Sequence, residues 1–221
     1  MRRTPLKDWL PLGDRGWLAR FDDEASAALW CEGVRALAEP GVVDVVPAYR
    51  TVAVLADPDL ADLDALESRL RSIRPRKGSR LESRLQTIPV LYDGEDLAEV
   101  ASQVAMSVEQ VVEMHSRSTY QVFAIGFQPG FPYAGYLDPA FNAIQRRSRP
   151  RLKVPAGSVA IAARQTGIYP TELPGGWNLL GRTPLTIVDL SDAYFPIRPG
   201  DRIRFVPIDI DEFESLKARR L

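Results

Sequence analysis

Between residues 120 and 184, glycine and proline recur in groups too dense for a simple connection, and this stretch constrains the fold more than any other. Residues 120–125 alternate in side-chain character as a half-buried strand does, and then break at Gly126-Phe127-Gln128-Pro129-Gly130-Phe131-Pro132-Tyr133. Proline sets φ and glycine admits positive φ, so the backbone follows one path while Phe127, Phe131 and Tyr133 supply rigid apolar surface. Similar groups follow at 150–158, 165–170, 174–177 and 181–184, with short apolar strands between them. The alternation of turns and short strands predicts a closed or sandwiched β unit whose loops form a rim.

The rest of the chain reads as a second kind of unit. A strand at 16–21 precedes a helix entered at Asp22-Asp23-Glu24 and stopped by Glu39-Pro40-Gly41. Strands at 42–46 and 51–55 come next, then a helix opened by Asp57-Pro58-Asp59, with Leu60, Leu63, Leu66 and Leu70 at helical spacing. A strand at 86–91 completes a β-α-β-β-α-β order, the pattern of a ferredoxin-like α+β domain over residues 1–90, with the mainly β unit in 91–221. Two short helices come after Tyr92-Asp93-Gly94, the second opened by a Ser107/Gln110 capping box and ending near His115. Later strands are expected at 120–126, 159–163, 177–180, 185–189 and 202–207, and a final helix at 211–220.

Composition excludes several classes. A hydrophobic content of 45% in 221 residues supports substantial cores. A net charge of −1 with mixed signs gives no footprint for nucleic acid or an acidic membrane. Asp8, Pro11 and Gly13 interrupt any signal-like apolar run at the start, and no stretch reaches the ~20 apolar residues of a membrane span, so a cytoplasmic protein is expected. Cys31, on the first helix among apolar neighbours, reads as structural. There is no phosphate-binding G-x-x-x-x-G-K-[ST] loop, no Rossmann fingerprint and no paired His or Cys metal set.

Chemistry-bearing residues gather around the glycine- and proline-rich stretch. His115, the sole histidine, is either a proton-moving group or a helix C-terminal cap. In the basic segment 146–153, Arg151 is the favoured anion ligand, and Arg182 is another unless an acid pairs with it. Ser158 lies in A-G-S-V-A rather than G-x-S-x-G, so it reads as a hydrogen-bonding loop residue beside Gly157, not a nucleophile. Gln165, Tyr169 and Trp177 join polar ends to flat apolar surfaces, a set suited to a small amide or lactam, with core packing the competing use of Trp177. Gly130, Phe131 and Pro155 complete the expected substrate-binding set.

The series G-F-x-P-G-F-P-Y, P-R-x-x-V-P-A-G-S-V-A-I-A, Q-T-G-I-Y-P, P-G-G-W and G-R-T-P, in that order, resembles the B subunits of bacterial ATP-dependent 5-oxoprolinases. That family is also called KipI-type kinase inhibitor and allophanate hydrolase subunit 1, and homologous sequence occurs in the carboxyltransferase region of urea carboxylases. The resemblance covers nearly the whole chain. It implies a ferredoxin-like domain followed by a cyclophilin-like β-barrel, and a protein that works with companion subunits A and C to open 5-oxoproline to glutamate at the expense of ATP. ATP is then a co-substrate of the complex, with its place on this chain or on a companion subunit left open, as is any divalent metal. In that scheme His115 would move a proton while Arg151 and Arg182 hold anionic oxygens. The resemblance also implies two other uses, binding a sensor histidine kinase or serving in urea or allophanate metabolism. The chain departs from the family pattern at Ala134-Gly135-Tyr136, at the shortened 92–97 segment and at Arg164.

Overall fold

The computed structural model describes residues 6–74 and 83–221, and the chain divides into two compact units, Met1–Glu82 and Ser83–Leu221. The first contains β1 (Leu6–Pro11), β2 (Gly16–Phe21), α1 (Glu24–Leu37), β3 (Val42–Ala48), β4 (Thr51–Ala56) and α2 (Leu63–Ser72). Its antiparallel sheet has the order β1-β2-β4-β3. Alternation along β2 and β4 puts Trp17, Ala19, Phe21, Val52, Val54 and Ala56 on one face, where they pack on Ala27, Trp30, Cys31 and Val34 of α1 and Leu66 and Leu70 of α2. Burial pushes the Cys31 thiol up to about 11, which keeps it a protonated core group.

Two expectations change in this unit. The helix expected from Asp57-Pro58-Asp59 begins later, because the Asp62 side chain accepts from the backbone N–H groups of Asp64 and Ala65 and so becomes the cap. Leu60 falls outside the helix and is exposed. The strand expected to close the β-α-β-β-α-β order belongs to the other unit, and β1 takes the edge beside β2. β1 leaves little mark in the sequence: a bulge between Leu6 and Asp8 breaks its alternation, and Pro11 is tolerated at an edge.

The second unit contains β5 (Leu85–Val90), α3 (Leu97–Gln103), α4 (Val108–Ser116), β6 (Thr119–Ile125), β7 (Pro132–Gly135), β8 (Arg151–Val154), β9 (Ser158–Ala162), β10 (Gln165–Ile168), β11 (Leu173–Gly175), β12 (Asn178–Arg182), β13 (Arg202–Pro207) and α5 (Ile210–Leu216). Seven strands run in the order β12-β9-β10-β7-β6-β13-β5, and β8 pairs with β11 in a separate ribbon. The sheet closes almost completely: Leu91, just past β5, exchanges two backbone hydrogen bonds of 2.9 Å with Arg182 of β12. Backbones come so close at this seam that a Cβ on Gly94 would lie 2.3 Å from the Leu179 carbonyl oxygen, and one on Gly181 2.3 Å from that of Leu91.

β5 joins this barrel because its alternation puts Ile88 and Val90 into the same core as Ile203 and Phe205 of β13, its parallel partner. The capping box at α4 forms as expected, with Gln110 N–H donating to Ser107 Oγ at 3.2 Å and Ser107 N–H to Gln110 Oε1 at 2.8 Å. The strand expected at 185–189 is replaced by single bridges, Thr186 with Arg220 and Asp189 with Tyr194. Its backbone groups pair with the C-terminal segment beyond α5, although Ile187 and Val188 remain buried. Among the described residues no helix is long and apolar enough to cross a membrane.

Candidate functional site

All five residues of β9 are buried, which a strand with one solvated face would not show. Val159 and Ile161 point into the barrel core. Ala160 and Ala162 belong to a second apolar cluster with Phe131, Val154, Tyr169, Leu173, Trp177 and Leu179. The barrel wall therefore carries an outer layer built from the glycine- and proline-rich stretch.

Phe131 organises that layer. Its ring meets those of Tyr133, Tyr169 and Trp177 edge to face, at centroid distances of 5.0, 5.3 and 5.4 Å. Gly167 makes room for it, since a Cβ there would stand 2.9 Å from Phe131 Cζ. Gly130 sets the approach with φ +80, and its missing side chain avoids Val188, which a Cβ would meet at 2.2 Å. Gly175 lies against the Tyr169 hydroxyl, where a Cβ would come within 2.2 Å.

These rings enclose a cavity of about 250 Å³ whose walls include Phe127, Tyr133, Tyr169 and Trp177, with Arg146 and Arg147 among its lining residues. Phe127 is 61% exposed, whereas Phe131, Tyr169 and Trp177 are buried. Burial raises the pKa of both tyrosines, and the nearby Arg146 guanidinium opposes the rise in each. The Arg146 guanidinium lies 6.0 Å from the Trp177 ring centroid. Among the described residues Arg146 makes no ion pair, while Arg147 donates to Asp96 at 2.6 Å.

Of the residues expected from the sequence, Phe131, Tyr169 and Trp177 line this cavity, and Gly130 shapes it. Pro155, Gly157 and Ser158 sit at the β8–β9 turn instead, where Gly157 N–H donates to the Tyr169 carbonyl at 2.8 Å and Thr183 N–H to the Gly157 carbonyl at 2.9 Å. Gln165 is half-buried on β10 opposite Gly135 and Ala162. None of these four lines the pocket.

The three residues expected to do chemistry are used elsewhere. His115 is 0% exposed in the barrel interior, stacked on Phe205 at 4.6 Å. Tyr92 Oη lies 2.7 Å from Nδ1, and Nε2 lies 2.9 Å from Thr166 Oγ1. Thr166 donates its own proton to the Ala160 carbonyl, so Nε2–H donates to Thr166 and Nδ1 accepts from Tyr92. Burial drives the His115 pKa down to about 3, and the expected proton-transfer role gives way to that of a neutral core group.

Arg151 bridges Glu95 and Asp96, donating to Asp96 at 2.8 Å, and this bond raises its pKa. Asp96 is buried and also accepts the Leu179 N–H at 2.7 Å, so Arg151 helps to neutralise a carboxylate that braces β12. Arg182 pairs with Asp93 at 2.9 Å and lies over the Phe213 ring at 4.5 Å. Both arginines are therefore held by carboxylates, whereas, among the described residues, Arg146, whose place beside the Trp177 ring no local pattern reveals, is not. Tyr133 and the Pro174-Gly175-Gly176 wall lie within the motifs that supplied Phe131 and Trp177, so their place in the site is legible from sequence neighbours.

The family model for the carboxyltransferase domain, subdomain C and D, matches residues 7–195. The sequence is 44% identical over 184 residues to the 5-oxoprolinase B subunit of Escherichia coli O157:H7, covering 81% of this chain and 84% of that one. Among solved structures, TTHA0988 superposes with a TM-score of 0.79 at 39% identity over 88% of this chain. The chain spans 40% of the TTHA0988 chain. The K. lactis urea amidolyase shares the fold at a TM-score of 0.75 and 20% identity, over 98% of this chain and 16% of that one. Extending over both units and over the motifs that build the aromatic layer, these matches place the chain in the carboxyltransferase-domain family, subdomain C and D, with the 5-oxoprolinase B subunits.

Proposed function

We propose that this chain is the B subunit of an ATP-dependent 5-oxoprolinase, opening the lactam of 5-oxoproline to glutamate together with companion subunits A and C. The observation that carries this reading is the 44% identity to a 5-oxoprolinase B subunit across more than four-fifths of each chain. In TTHA0988 the matched region is 40% of a longer polypeptide, which supports a module that functions joined to further protein. In this reading the first unit is a ferredoxin-like domain completed by β1, and the barrel is a cyclophilin-like one that acts in the cytoplasm.

ATP drives lactam hydrolysis by phosphorylating the amide oxygen with release of ADP; water then adds to the amide carbon, phosphate leaves and the C–N bond breaks. The aromatic pocket suits a lactam. At about 250 Å³ it falls below the roughly 300–1,000 Å³ of drug-sized ligand sites, and it does not fit a nucleoside triphosphate. The phosphates of ATP belong on a companion subunit, and this chain contributes a dry, aromatic wall for the ring. The test is ADP formation by the three purified subunits. A 5-oxoproline-dependent signal that disappears when this chain is omitted is expected, and a signal indifferent to its omission would overturn the assignment.

A second reading, regulation of a sensor histidine kinase by docking, is favoured by the exposure of Phe127 beside the pocket. A kinase whose autophosphorylation is unchanged at saturating concentrations of this chain would eliminate it.

A further inference from the structure

We propose that Arg146 is the specificity determinant of the aromatic pocket, pairing with the carboxylate of a small planar lactam whose ring lies against Trp177 and Tyr133. The choice of 5-oxoproline as that ligand rests on the oxoprolinase reading, while the demand for a small monoanion with a flat amide face rests on the pocket alone.

The neighbouring arginines are already committed. Arg147 is held by Asp96 and stands 3.6 Å from Glu99, and Arg151 is held by Glu95 and Asp96. Arg146 makes no ion pair among the described residues, yet its charge reaches the hydroxyls of both Tyr133 and Tyr169 and its guanidinium faces Trp177. A planar guanidinium left unpaired at the rim of an aromatic cavity matches a carboxylate, with which it forms two parallel hydrogen bonds. The second observation is on Arg147, which also lines the cavity: its Nε–H is buried with no acceptor. A buried unpaired donor costs free energy that a ligand oxygen would recover.

The same geometry discriminates product from substrate. 5-Oxoproline carries one carboxylate and a neutral amide, which suits one cation and a flat apolar wall. Ring opening yields an ammonium group, for which no carboxylate among the described residues lines the cavity, and a second carboxylate, for which only the Arg147 Nε–H remains. Glutamate is therefore released. A lactam without a carboxylate, such as 2-pyrrolidinone, fills the walls but leaves Arg146 unused.

The experiment is a titration of the full chain, followed by the indole N–H resonance of Trp177 assigned with Trp177→Phe. The ligands are 5-oxoproline, 2-pyrrolidinone and glutamate. 5-Oxoproline is expected to bind at least about tenfold more tightly than either of the others, as one charge-assisted pair allows. Arg146→Met is expected to abolish that preference while leaving 2-pyrrolidinone binding and the melting temperature unchanged. A Trp177 resonance that 5-oxoproline does not move, or an Arg146→Met protein with the preference intact, overturns the proposal. Because binding is read on this chain alone, the two ideas fail separately. Selective binding without lactam-dependent ATP hydrolysis in the assembled subunits supports the pocket and removes the oxoprolinase reading. Hydrolysis without any response at Trp177 does the reverse.

Discussion

Charging His115 would break its hydrogen bond from Tyr92 and put a cation in the barrel core, so its titration is tied to folding. The folded-state pKa of about 3 lies below the roughly 6.5 of an unfolded histidine. Its contribution to stability is therefore complete above the unfolded value and is lost as pH falls from there toward the folded value. Between about pH 7.5 and about pH 5 this amounts to about 2 kcal/mol of unfolding free energy. Urea titrations at both pH values should show that loss in the wild type, and His115→Gln should show a smaller one. An equal loss in both proteins would mean that His115 does not couple folding to pH. Asp96 is the other sensitive residue. Replacing it with alanine leaves Arg147 and Arg151 without their shared acceptor and frees the Leu179 N–H. Because both arginines keep some solvent, the expected cost is about 2–4 kcal/mol, below the upper end for a fully buried pair, read from the urea midpoint.

At the scale of elements, the short strands of the outer layer depend on glycine for contact distance as much as for turning. β11 ends at Gly175, where the backbone rests against the Tyr169 ring. Gly175→Ala must push that ring or the β8–β11 ribbon aside, and overpacking of this kind costs about 1–3 kcal/mol. The expected outcome is a lower melting temperature together with weaker binding of 5-oxoproline. A stable variant with undiminished binding would show that Tyr169 does not shape the site. Helix limits were largely legible from neighbouring residues, as at the Ser107/Gln110 box, because capping groups act over three positions. The late start of α2 was less so: several aspartates precede it, each able to cap, and tertiary packing of Leu66 and Leu70 selects Asp62.

At the scale of the whole molecule, the decisive pairing is β5 with β13. A fragment of residues 83–221 retains it and should unfold in one cooperative transition. A fragment of 91–221 loses Ile88 and Val90 from the core and uncovers the edge of β13, at about 1.5–3 kcal/mol for each side chain before backbone pairing is counted. Circular dichroism and urea titration should find the longer fragment folded and the shorter one not, and a shorter fragment of equal stability would show β5 to be dispensable. What the sequence by itself determined are the features with short reach: β2 to α2 in order, the turns between barrel strands, and the aromatic and glycine motifs that build the outer layer. The tertiary structure alone decided which sheet received residues 85–90, which arginines met carboxylates and which remained open. Arg147 meets Asp96 across 51 positions, and Asp201 caps the Arg84 N–H across 117. Periodicity and capping are written within a few residues, whereas the partner of a strand edge or a guanidinium depends on which distant surfaces the folded chain brings together.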